Sequence, residues 1–284
     1  MSSSFSVVKP SYLENTNNII VNGNLTVNGT VSNYIDTSLN SLPENTFSTF
    51  GNLSSAYETK WIGGVLAPNG KIYGIPYNST SVLIIDPVTN TADTTTISGL
   101  SGNVKWSGGV LAPNGKIYCS PNNSSSVLII DPVTNTADTT TISGLTGGLK
   151  WFGGVLAPNG KIYGIPYTSS SVLIIDPVTN TADTTTISGL SGSAKWSGGV
   201  LAPNGKIYGI PRNSTSVLII DPVTNTADTT TISGLTGNNK WFGSVLAPNG
   251  KIYYIPFIST SVLVVNTGLS KHPPWMLKPQ FNKY

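Results

Sequence analysis

The sequence predicts an all-β chain, and three observations carry that expectation. Thirty glycines and nineteen prolines, with abundant Ser, Thr and Asn, disfavour long helices and favour short strands joined by tight turns. The pair Lys-Trp recurs at Trp61, Trp106, Trp151, Trp196 and Trp241, a step of 45 residues each time. That period falls within the ~40–50 residues of four-stranded propeller blades, and the composition excludes solenoid helices. Each copy also carries Pro-Asn-Gly-Lys, and Asn-Gly is the strongest short hairpin signal because a type I′ turn needs two positive φ angles. Together they specify a five-bladed β-propeller of 45-residue, four-stranded blades over residues 46–270.

Before the ring, residues 1–45 alternate apolar and polar side chains around Asn22-Gly23 and Asn28-Gly29, which reads as short strands with tight turns. So few apolar residues cannot bury an independent core, so the segment must pack on the ring, stay a tail or assemble with other copies. Its wording resembles the shaft and attachment segments of phage and viral fibres, which implies a homotrimer through residues 1–45.

One blade divides into four elements. Trp61–Pro68 is the first strand, and Asn69-Gly70 turns the chain into the second, Lys71–Tyr77. Ser81–Asp86 is the third, its continuous apolar run fitting a strand covered on both faces by neighbouring blades. Asp86-Pro87-Val88-Thr89-Asn90-Thr91 supplies turn chemistry before a Thr-rich fourth strand ending near Leu100. The fifth copy lacks that fourth strand after Asn266. Thr46–Leu53 resembles the missing piece, so the expectation is that this N-terminal strand closes the fifth blade and leaves no unpaired edge. Residues 271–284 are expected to pack on the propeller as a tail.

Ile-Tyr-Gly-Ile-Pro-Tyr-Asn-Ser-Thr-Ser-Val-Leu-Ile-Ile-Asp-Pro-Val-Thr-Asn-Thr, at 72–91, resembles the YVTN-type β-propeller repeats. The Gly-Lys-Ile-Tyr-Gly-Ile-Pro wording and the Trp-Met-Leu-Lys-Pro-Gln-Phe-Asn-Lys ending are similar to propeller proteins of large protist and algal viruses. These resemblances imply a propeller and hardly any particular activity, because function sits in the site and not in the fold.

Charge is scarce: 10% of residues are Asp, Glu, Lys or Arg, and the net charge is +3. Too few titratable groups are present for acid, base or metal chemistry, so the chain is expected to be no enzyme and to hold no cofactor or metal. The lysines are too evenly spaced for a nucleic-acid stripe. Neither a signal peptide nor an apolar run of about 20 residues is present, so membrane insertion is not expected. Cys119 stands where three other copies have Gly, and a small buried side chain explains it better than a nucleophile. His272 has no Cys or Asp partner nearby. Asp86, Asn90 and Asp93 match no calcium loop, and Asx-turn capping accounts for the Asp-Pro pair. The sequons at Asn24, Asn28, Asn52, Asn78, Asn122, Asn123 and Asn213 read as turn residues in a chain without an export signal.

Comparing copies localises the variation. Pro-Asn-Gly-Lys is identical in all five and Asp-Pro-Val-Thr-Asn-Thr in the first four, whereas residues after the second strand and between blades differ. In an up-and-down blade those varied connections emerge on one face. A binding face and drift after recent duplication both produce this map, and the alternation of Trp-Ser and Trp-Phe points to a copied two-blade unit. The candidate ligand contacts are Tyr77, Asn122, Tyr167, Arg212 and Phe257 on that face, with Trp61, Trp106, Trp151, Trp196 and Trp241 beneath them. Core packing between blades is the competing role for the tryptophans. The sequence therefore points to a recognition or structural protein, a viral fibre head on a virion surface binding a host glycan. The alternative is a cytoplasmic scaffold holding another protein.

Overall fold

The computed structural model describes residues 47–53 and 59–268, and the chain divides into two compact units, 1–49 and 50–284. Calls on residues 1–46, on His272 and on the tail at 271–284 fall outside the described residues. Among the described residues every regular element is a strand. In the first blade β1 (Trp61–Leu66), β2 (Ile72–Pro76), β3 (Leu83–Asp86) and β4 (Thr91–Asp93) pair antiparallel in chain order. The second blade holds β5 (Trp106–Leu111), β6 (Ile117–Pro121), β7 (Leu128–Asp131) and β8 (Thr136–Asp138). The third holds β9 (Trp151–Leu156), β10 (Ile162–Pro166), β11 (Leu173–Asp176) and β12 (Thr181–Asp183). The fourth holds β13 (Trp196–Leu201), β14 (Ile207–Pro211), β15 (Leu218–Asp221) and β16 (Thr226–Asp228). The fifth has β17 (Trp241–Leu246), β18 (Lys251–Pro256) and β19 (Leu263–Asn266). The result is a five-bladed β-propeller whose last blade has three strands.

Three local expectations need correction. Residues 47–53 form no strand and do not complete the fifth sheet. Gly51 instead lies against Ala92 of the first blade, and the Lys60 ammonium donates to the Leu53 carbonyl. The Asn-Gly turn is not type I′, because only Gly70 has positive φ, at 78°. Pro68 fixes its own φ near −65°, which a type I′ turn forbids at that position. Gly70 N–H donates to Ala67 O at 3.0 Å and Ala67 N–H to Lys71 O at 2.9 Å, giving a type I turn followed by a left-handed glycine. The fourth strand stops at Asp93 because its carboxylate accepts the N–H of Thr95 at 2.7 Å and of Thr96 at 3.2 Å. That turn draws the Thr-rich backbone out of the ladder.

Burial is organised by blade interfaces. Four apolar clusters are present, each built from the trailing face of one blade and the leading face of the next. Ala67, Tyr73, Ile75, Val82 and Ile84 of the first blade meet Trp106, Ile117, Leu128 and Ile130 of the second. The inner strands crowd so closely that a Cβ on Gly108 would stand 3.1 Å from Gly153 Cα. The same glycine has φ 78° at the bulge between Trp106 and Gly109, so both space and conformation require it.

A polar clasp ties the rim of each interface. Asn159 Nδ2 donates to Tyr163 OH and to Pro222 O of the next blade, both at 2.9 Å, while Tyr163 O–H donates to Asn225 Oδ1 at 2.6 Å. The same clasp joins Asn69 and Tyr73 to Pro132 and Asn135, and Asn114 and Tyr118 to Pro177 and Asn180. At the shortened fifth blade Asn204 reaches Thr267 O, at 2.7 Å, and beside Tyr208 a cleft of about 270 Å³ opens. In the last copy Asn249 donates to Tyr253 OH and accepts the Lys251 N–H, and the pair reaches no following blade among the described residues. Beyond them the trailing face of the fifth blade is bare, with Ile255, Val262 and Val264 44–53% exposed. Leu66 on the leading face of the first blade is 63% exposed.

Two predictions follow from the clasp and the turns. Tyr163→Phe removes a buried hydroxyl and strands Asn225 Oδ1, which should cost about 1–2 kcal/mol in denaturant unfolding. Tyr253→Phe should cost less than about 0.5 kcal/mol, since no following blade meets it. Equal costs would show that the clasp does not bind blade to blade. The second concerns acid. The Thr96 hydroxyl and nearby backbone N–H groups hold the Asp93 carboxyl down at about 2, and Asp138, Asp183 and Asp228 are lowered in the same way. A folded pKa below the unfolded value of about 3.9 gives stability that is present above that value and lost as pH falls towards the folded one. The unfolding temperature should therefore decline between pH 4 and pH 2. Asp183→Asn should lower it at pH 7, and the difference from the wild type should narrow as pH falls from 4 to 2.

Candidate functional site

The two varied connections meet at one end of the blades. Asn78 Oδ1 accepts the N–H of Val104, Asn123 Oδ1 that of Leu149 and Asn213 Oδ1 that of Asn239. Three sequon asparagines thus clip the loop after the second strand to the loop entering the next blade. Val104, Leu149, Ala194 and Asn239 all have φ between 49° and 53°, a left-handed conformation that suits only the asparagine.

Beneath these loops lies a floor of buried lysines. Lys105 Nζ donates to Ser79 O at 2.8 Å, Gly102 O at 2.9 Å and Tyr77 O at 3.3 Å, which uses all three of its protons. Lys150, Lys195 and Lys240 repeat the arrangement one blade further on each time. Burial lowers the Lys105, Lys150 and Lys195 ammonium groups to about 8 and lowers Lys240 as well. Each ammonium also stands 5.8–5.9 Å from the ring centroid of the adjoining tryptophan.

That placement settles what the tryptophans contact. Trp106, Trp151, Trp196 and Trp241 are buried in the four interface clusters, and each indole N–H donates to a serine carbonyl of its own blade. They are core residues, withdrawn from any ligand. Trp61 makes the same bond to Ser81 O at 2.8 Å and is half-buried because no blade precedes it. Asn122 also leaves the contact set: it is 1% exposed, its Nδ2 donating to Ser107 Oγ at 3.3 Å. Asn122 Oδ1 and the neighbouring Ser120 Oγ have no hydrogen-bond partner among the described residues. Burial pushes the Cys119 thiol far up, which rules it out as a ready nucleophile.

The other varied positions do converge. Arg212 Nη1–H donates to Tyr167 OH at 2.7 Å, and its Nε–H to Asn239 Oδ1 at 2.8 Å. Its guanidinium carbon lies 5.4 Å from the Tyr167 ring centroid, 5.8 Å from Phe242 and 5.9 Å from Phe257. Phe152 extends the group, 5.9 Å from Tyr167 and 5.6 Å from Phe242 across the intervening blade. Burial and the Tyr167 phenol raise the Tyr77 hydroxyl pKa, but no ring contact or hydrogen bond joins the Tyr77 side chain to the group among the described residues. The site is therefore an aromatic cluster around one arginine, half-buried at Tyr167 and Arg212 and open at Phe257. Sequence reasoning missed Phe152 and Phe242. The signal was present in the alternation of Trp-Ser and Trp-Phe, which carries axial side chains as well as a record of duplication.

Among the described residues acidic groups take no part. Asp86, Asp131, Asp176 and Asp221 pair with Lys71, Lys116, Lys161 and Lys206 at 3.1–3.5 Å on the turn face, and the other four described aspartates are capped by threonines. No group of three or more His, Cys, Asp or Glu that could hold a metal occurs among the described residues.

Solved structures share the architecture. Virginiamycin B lyase from Staphylococcus aureus matches with TM-score 0.58 and 11% identity over 76% of this chain and 72% of that one. Kuenenia stuttgartiensis hydrazine synthase matches with TM-score 0.55 and 16% identity over 77% and 67%. An auxiliary nutrient binding protein from Bacteroides ovatus gives TM-score 0.52 and 15% identity, and this chain covers 73% of itself but 55% of that protein. At such identities the likeness is one of fold. It nevertheless corrects the expectation that the chain is no enzyme, because a lyase and a synthase use this same propeller, so scarce titratable residues do not exclude catalysis on it. No curated protein matches the sequence. The repeat of unknown function DUF6923 matches residues 64–239, which carries the coarser part of the resemblance, a propeller made of a short repeat. The chain belongs to this DUF6923 repeat family.

Proposed function

We propose that the chain is a recognition protein that binds a host-surface glycan on its varied face, as the head of a viral fibre whose attachment segment is residues 1–45. The observation that carries this reading is the convergence of Tyr167, Arg212 and Phe257, three of the five varied positions after the second strand, on one cluster. Aromatic faces stack on the apolar faces of sugar rings, and the flanking hydroxyl, amide and guanidinium groups supply hydrogen bonds. Side chains held in left-handed backbone around the cluster support the same reading, since strain of this kind gathers at binding sites.

A protein partner is the second reading, and the bare trailing face of the fifth blade favours it. Ile255, Val262 and Val264 expose apolar side chains there, as partner surfaces do.

A glycan array probed with the labelled full chain tests the first reading. Binding to a defined set of glycans is expected, reduced at least about tenfold by Tyr167→Ala with the unfolding temperature preserved. A blank array beside a specific protein captured through blade five would replace the glycan by the protein. Light scattering of the full chain tests the attachment segment, and three copies per particle are expected; a monomer would remove the fibre.

A further inference from the structure

The chemical class of the ligand is narrowed by Arg212, in an inference that rests on the recognition reading of this same face. The rings of Tyr167, Phe242 and Phe257 surround the guanidinium within 6 Å and engage its charge without using its hydrogens. A guanidinium has five N–H donors, and the bonds to Tyr167 OH and Asn239 Oδ1 leave three of them, both on Nη2 included, with no protein acceptor among the described residues. Among the described residues the cation is also uncompensated. All four ion pairs of the described residues lie on the turn face, and none includes Arg212.

The surroundings reinforce its charge. Lys240 Nζ donates to Arg212 O at 3.1 Å, and the three equivalent ammonium groups stand under the same loops, each capped by carbonyls and none by a carboxylate. Positive potential is thus concentrated where the aromatic rings are open. A planar carboxylate matches the remaining edge of the guanidinium with two parallel hydrogen bonds, and a sulfate ester can do the same.

We infer that the varied face binds an anionic ligand, a carboxylate- or sulfate-bearing sugar whose acid group sits on the free edge of Arg212 while its ring stacks on Tyr167 and Phe257. A neutral sugar would leave that edge to water and gain only the stacking.

Calorimetric titration of the full chain with N-acetylneuraminic acid, with its methyl ester and with sodium sulfate decides the matter. The acid should bind at least about tenfold more tightly than its ester, and sulfate should compete with it. Arg212→Gln should reduce the acid to the level of the ester, and Arg212→Lys should retain part of the difference. Equal binding of acid and ester overturns the inference on the wild type alone, whatever the variants do. So does an acid preference that survives in a folded Arg212→Gln, or the absence of any binding by both anions. If Arg212→Gln still binds neutral glycans on the array with wild-type strength, the anion site falls while the recognition reading stands. A blank array with no response to acid, ester or sulfate removes both.

Discussion

The burial of one blade's trailing face by the leading face of the next is the constraint on which everything else depends. A four-stranded sheet with apolar residues on both faces cannot remain in water, and among the described residues its cover is another copy of itself. The four clusters between consecutive blades are therefore one solution used four times, with Trp, Ile and Leu from one side meeting Tyr, Ile and Val from the other. The two end blades show what the interface supplies. Val155, between two blades, is fully buried, whereas its counterpart Val245, with no blade beyond it, is 56% exposed.

That constraint also explains why some segments cannot vary. Pro-Asn-Gly-Lys and Asp-Pro-Val-Thr-Asn-Thr look like turns free to drift, yet the Asn of the first donates to the Pro carbonyl of the second in the next blade. The Asn of the second in turn accepts the Tyr hydroxyl across the interface, while its Asp pairs with the Lys of its own blade. A change at the Asn or Tyr of this clasp damages two blades. The opposite face is tied mainly through backbone atoms, carbonyls held by the lysines and N–H groups held by the asparagine clips, so most of its side chains can differ from copy to copy without breaking a contact between blades.

Much of this was legible in the sequence. A 45-residue period, turn residues at fixed offsets and short apolar runs gave the blades, their number and the order of their strands. Local details followed other rules. Pro68 overrode the hairpin type that Asn69-Gly70 alone implies, and the Asp93 side chain ended a strand that Thr propensity would have continued. The missing outer strand was recognised, but its replacement was not, because a likeness over eight residues says nothing of which blade they will touch. At the site, the sequence located the varied face and could not separate contact from core. Asn122 and Tyr77 occupy equivalent positions, and only packing against Ser107 hides the first. The tryptophans were equally ambiguous, since an aromatic at every blade start serves a ligand or an interface with the same spacing.

The backbone of the varied loops bears on whether their divergence is idle. Val104, Leu149 and Ala194 hold φ near 50°, where a side chain costs about 1–2 kcal/mol and Gly or Asn costs little. Gly already occupies the left-handed positions at 102, 147, 192 and 237 just upstream, so glycine is at hand in these same loops. Unconstrained drift would settle on the unstrained residues, as Asn239 has done. Three of four copies instead carry an aliphatic side chain in the strained position, held by an Asn clip in two of them. The strain is supported by the buried lysine beneath, which joins three carbonyls of the two loops and keeps them from relaxing outward. A rigid floor thus lies under strained, divergent loops, a combination that relaxation toward unstrained residues does not account for.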